Sequence, residues 1–95
     1  MNVTKYMLDL VMDGIKDTDM IARYAEEAHK VPEHKSAADW FATRAKARLS
    51  HLERDWKDVW EELEEHGKHD EELMDALACH INHSIAGLKT RIDKM

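Results

Sequence analysis

Three apolar stripes at helical spacing run along almost the whole chain, and they constrain its fold more than anything else in it. The first is Val3, Met7, Leu10, Gly14, Thr18, Ile21, Ala25 and Ala28. The second is Ala38, Phe41, Ala45, Leu49, Leu52, Trp56, Val59 and Leu63. The third is Leu73 or Met74, then Leu77, Ile81, Ile85, Leu88 and Ile92. Steps of three and four place each set on one face of an α-helix. No segment alternates apolar and polar residues at period two, so no strand is expected. The pattern predicts an all-α protein: three long antiparallel helices in a bundle, with dimerisation as one way of completing its core.

At 95 residues the chain has room for a single domain, close to the lower limit for one self-sufficient core. With 43% hydrophobic and 36% charged residues it reads as globular rather than disordered. A net charge of −6 argues against direct nucleic-acid binding, which needs a basic face to displace counterions from phosphates. The start, Met1-Asn2-Val3-Thr4-Lys5, has neither a basic region nor an apolar run of the signal-peptide kind. No membrane span is expected either, since no apolar run is long enough. The lone cysteine, Cys79, lies beside the third stripe, where a buried thiol is expected. The absence of an internal cysteine pair fits a cytoplasmic setting.

The breaks between stripes carry recognisable signals. Asn2 or Thr4 can cap the first helix. Pro32 drives Val31 out of the α region and ends that helix near Lys30. Ser36-Ala37-Ala38-Asp39 resembles a capping box. Gly67 is placed to terminate the second helix, and Asp70 to cap the third. The expected helices therefore cover about 3–30, 36–66 and 70–94. Gly14 followed by Asp17-Thr18-Asp19 is a weaker break signal. The stripe keeps its phase across it, which favours an unbroken helix whose glycine admits a close neighbour.

Apolar residues exceed what one stripe per helix requires. Leu8, Met12, Ile15 and Met20 widen the first stripe, while Trp40 and Trp60 flank the second. They either rim the core or form a second interface. The three tryptophans, all on the second helix, point to a homodimer. Charge on that helix opposes its dipole. Lys35, Arg44, Lys46 and Arg48 lie in the front half, and Glu61, Glu62, Glu64 and Glu65 at the back. Asp70, Glu71, Glu72 and Asp75 follow, so eight carboxylates collect at one corner. Such a corner either keeps that end soluble or docks a protein partner with a basic surface, including one that normally holds nucleic acid. The expected partner-binding residues are Glu61, Glu62, Glu64, Glu65, Asp70, Glu71, Glu72, Trp40 and Trp60.

Seven histidines raise a metal alternative. His80 and His83, at i and i+3, share a helix face, and His51 lies near the second stripe. Asp17 stands seven residues before Tyr24, and Phe41-x-x-x-Ala45-x-x-Arg48-x-x-His51 follows. Over residues 17–51 this resembles the first two helices of ferritin-like and rubrerythrin-like bundles. In that family a metal-bridging glutamate occupies the place of Arg48. The resemblance implies a bundle fold with a lost or altered site and no ferroxidase or peroxidase activity. The metal alternative would use His51, His80, His83 and carboxylates of the first helix.

No phosphate-binding loop, no nucleophile elbow and no acid pair in an evident cleft is present. Cys79 and His80 are adjacent, so they do not face each other on a helix. No enzyme activity and no cofactor are expected. The sequence reads as a small acidic helical protein that binds or inhibits a macromolecule. Its size and composition are those of many accessory proteins of phages and mobile elements.

Overall fold

The computed structural model describes residues 3–65 and 71–95, and the side chains of Val3, Thr4, Glu71 and Leu73 are not described. Among these residues the chain is all-α: α1 spans Val3–His29, α2 spans Lys35–Glu65 and α3 spans Glu71–Asp93. The molecule measures 53 × 22 × 16 Å. Its long axis is set by α2, whose 31 residues extend about 46 Å at 1.5 Å per residue. The expected endpoints at Asn2, Gly67 and Asp70 lie outside the described residues.

The first connection follows from Pro32. Val31 is extended, at φ −117° and ψ 110°, as the residue before a proline must be. Pro32–His34 then form a single 3-10 turn, closed by the His34 N–H donating to the Val31 carbonyl at 2.9 Å. This turn runs directly into α2 at Lys35. Ser36 is therefore already helical and cannot serve as the N-cap of the expected capping box. The 3-10 turn takes up the initial backbone groups instead.

The core is a continuous line along all three helices. In α2 it consists of Ala38, Ala42, Ala45, Leu49, Leu52, Trp56, Val59 and Leu63. Ile81, Ile85, Leu88 and Ile92 supply α3, as the third stripe predicts. In α1 the expected line holds at Thr18 and Ala25 and shifts by one position at two places, where Val11 is buried in place of Leu10 and Ala22 in place of Ile21. Val11 is completely buried, while Leu10 is 59% exposed. Ala22, Ala25 and Thr18 complete it. A broad stripe leaves the rotation of its helix undetermined, and α3 settles it by covering the Val11 side. Phe41 is half-buried rather than core, because Ala42 takes the inward position.

Helix α1 is unbroken through Gly14. A Cβ at that position would lie 3.0 Å from Leu52 Cδ1, so the missing side chain is what lets α2 approach. Thr18, 1% exposed, donates its hydroxyl to the Gly14 carbonyl at 2.7 Å. The apparent cap signal is thus a satisfied polar group inside a helix. Cys79 is exposed, contrary to the buried thiol expected, because α3 turns Ala78 and Ile81 toward the core and Cys79 away from it.

Candidate interaction surface

Helix α3 is joined to the other two by polar contacts far apart in sequence. Trp56 Nε1 donates to Asn82 Oδ1 at 2.7 Å, linking α2 to α3. Arg91 donates to Asp19 at 2.5 Å and, through two nitrogens, to Glu26 at 3.0 and 2.6 Å, linking α3 to α1. These bonds, first the one to Asp19 and then those to Glu26, raise the Arg91 pKa above its ordinary value. Asp19 also holds Arg23 at 2.9 Å. Beside Arg91 an open groove of about 590 Å³ is lined by Ile15, Lys16, His83 and Ser84 among others. The Arg91 guanidinium is already engaged by two carboxylates. Nothing in the sequence signalled Arg91 or Asn82, because their partners lie on other helices.

The most distinctive surface is aromatic and lies where α1 ends and α2 begins. Tyr24 and Phe41 stack at 5.5 Å between ring centroids. Trp40 meets the edge of Phe41 at 5.1 Å. Arg44, one turn after Trp40, places its guanidinium 4.7 Å from that ring's centre. Trp40 remains 55% exposed and Tyr24 54%. The apolar surface continues along α1 through Met20, Leu10 and Tyr6, all exposed. At 100° per residue, Tyr6, Leu10, Asp13, Asp17, Met20 and Tyr24 fall within an arc of about 80°. Two exposed aspartates, Asp13 and Asp17, interrupt this row between Leu10 and Met20. Single exposed apolar side chains are ordinary on a monomer, whereas the cluster of Tyr24, Phe41 and Trp40 with Met20 beside it is not.

The other expected site residues divide between two ends. Glu61, Glu62, Glu64 and Glu65 are exposed at the end of α2, in a last turn without a basic residue. Glu72 is exposed on α3, the Glu71 side chain is not described, and Asp70 lies outside the described residues. Trp60 is half-buried against Trp56, with ring centroids 5.6 Å apart, and packs on the core. It stands about 30 Å along α2 from Trp40. The two tryptophans therefore do not share one patch.

His51, His80 and His83 are all exposed, the first on α2 and the others on α3. Among the described residues no three His, Cys, Asp or Glu side chains converge as metal ligands would. No helix of the described residues is long and apolar enough to cross a membrane. No family model, no curated protein and no solved structure matches this chain.

Proposed function

We propose that this chain is a small acidic interaction protein. Its three helices form an antiparallel bundle that self-associates and docks on a macromolecular partner with a basic surface, without catalysing a reaction. The observation that carries this reading is the aromatic cluster of Tyr24, half-buried Phe41 and Trp40, whose outer two rings are exposed, with Met20 exposed one turn back on α1. Aromatic residues and Met are enriched in the buried centres of protein interfaces. The carboxylates at the end of α2 stand at the negative end of a helix dipole, which costs stability and so favours a role outside the fold. They suit a basic partner surface by raising its association rate.

The test has two arms. Sedimentation equilibrium at ~100 μM detects any self-association stronger than about 5.5 kcal/mol, and a dimer is expected. Affinity capture then compares wild-type protein with Glu61, Glu64 and Glu65 all changed to Lys, and with a His80→Ala/His83→Ala variant. A partner lost from the lysine variant, retained by the histidine variant and released by salt supports the acidic docking site. A partner that needs the histidines, or metal bound stoichiometrically by untagged protein, overturns it.

A further inference from the structure

We propose that a second copy of this chain docks on the outer face of the α1–α2 pair, on the side away from α3. The two copies are related by a twofold axis parallel to the helices. Helix α1 of each lies on α2 of the other, with Asp17 meeting Arg48 across the interface. This rests on the self-association reading above and adds the face and its register.

The face is fixed by contacts on both sides of it. Helix α3 covers α1 through Asp19 and Glu26, which Arg91 holds. Those residues point about 140–160° away from Tyr24 around the helix. On the open side, Tyr24 of α1 touches Phe41 of α2. One heptad from that contact, seven residues back on α1 and seven forward on α2, stand Asp17 and Arg48. Two helical turns preserve direction and level, so Asp17 and Arg48 share the face and the height. A second contact gives the same alignment, since Gly14 lies opposite Leu52. Both charges are exposed, and neither forms an ion pair with another described residue.

The face is thus apolar and acidic along α1, while the facing edge of α2 carries Arg44 and Arg48 at the level of Asp17 and, one heptad further on, Asp55. Such a surface is self-complementary. A twofold axis parallel to the helices exchanges left and right while keeping height. Asp17 then meets Arg48 twice, and the two Tyr24–Phe41–Trp40 clusters come together at one end. The alternative axis, perpendicular to the helices, would lay α1 on α1. With that axis at the level of residue 15, Asp13 would face Asp17, two carboxylates at each contact, which opposes association. An isologous interface repeats every contact, so charge complementarity counts twice.

Asp17→Arg and Arg48→Asp test this as separate proteins and as a mixture. Each variant alone faces like charge at both contacts, and its dimer dissociation constant should rise by at least roughly tenfold. Mixed one to one, the two variants form a heterodimer with opposite charges at both contacts. The two substituted positions meet each other at one contact, and the native Asp17 and Arg48 meet at the other. The mixture should regain wild-type affinity. Circular dichroism checks that both variants keep their helix content. If the two residues interacted only within one chain, mixing would restore nothing. A wild-type protein that stays monomeric at ~100 μM overturns the self-association reading itself. A dimer indifferent to both variants, or variants that mixing does not rescue, overturns this face and register while leaving self-association standing.

Discussion

Gly14 and Leu52 are set against each other across the α1–α2 seam, and their coupling can be measured. Glycine inside a helix costs about 0.8–1.0 kcal/mol relative to alanine, so Gly14→Ala should stabilise α1 by that much if nothing intervened. Leu52 intervenes: its Cδ1 lies 3.0 Å from the position the new methyl would take. Ordinary carbon–carbon contacts sit at about 3.5–4.0 Å. Leu52 is 3% exposed and belongs to the core cluster that includes Val11, Leu49 and Trp56, so it has little room to retreat. Overpacking of this kind costs about 1–3 kcal/mol. Gly14→Ala alone should therefore destabilise the fold by about 1 kcal/mol, the overpacking outweighing the propensity gain. Leu52→Ala alone should cost about 2–5 kcal/mol, as for other buried leucines. In that background the obstruction is gone, and Gly14→Ala should stabilise by about 1 kcal/mol. The sign of one substitution thus reverses with the other, a coupling of about 2 kcal/mol within the usual range for residues in contact. Urea melts followed by circular dichroism at one fixed protein concentration measure all four corners of the cycle, since association would otherwise shift the midpoints. Effects that add to within about 0.5 kcal/mol would mean that Gly14 does not face Leu52.

Gly87, with nothing within 4 Å of a built Cβ, is the converse case: Gly87→Ala should stabilise α3 by about 0.8–1 kcal/mol, read as a raised urea midpoint. Asn82→Ala should cost about 1 kcal/mol by removing the acceptor of the Trp56 indole, whereas Asn82→Asp keeps an acceptor and should lose less; equal losses in urea melts would count against the bond. Arg91→Met should cost no more than about 1 kcal/mol, since the ion pairs it makes with Asp19 and Glu26 are partly exposed, and the loss should shrink in high salt. Lysine substitution of Glu61, Glu64 and Glu65 together should leave thermal stability unchanged or raised at low salt, because positive charge suits that end of α2; a lowered melting temperature would show that those carboxylates support the fold.

How much of this was legible in the chain varies with the range of the interaction involved. Local periodicity was enough for the helices themselves, for the inward line of α2 from Leu49 to Leu63 and for that of α3 from Ile81 to Ile92. The geometry of Val31 follows from Pro32 alone, because it is a clash between adjacent residues. The unbroken course of α1 through Gly14 was legible in the phase of its stripe. What periodicity cannot supply is the rotation of a helix whose stripe is broad on both sides. Leu10 and Val11 are chemically almost equivalent, and only packing against α2 and α3 buried Val11 and left Leu10 in water. Cys79 is a different case: it lies two residues and about 160° around α3 from Ile81, so its exposure was already legible in the third stripe. Trp40 and Trp60 looked alike in the sequence, yet Trp60 leans on Trp56 while Trp40 caps an exposed aromatic cluster. Arg91 with Asp19 and Glu26, and Trp56 with Asn82, join residues that only the chain's return brings together. A helix's existence is written in steps of three and four residues. The identity of the surface it leaves uncovered depends on neighbours tens of residues away, and so only tertiary structure decides it.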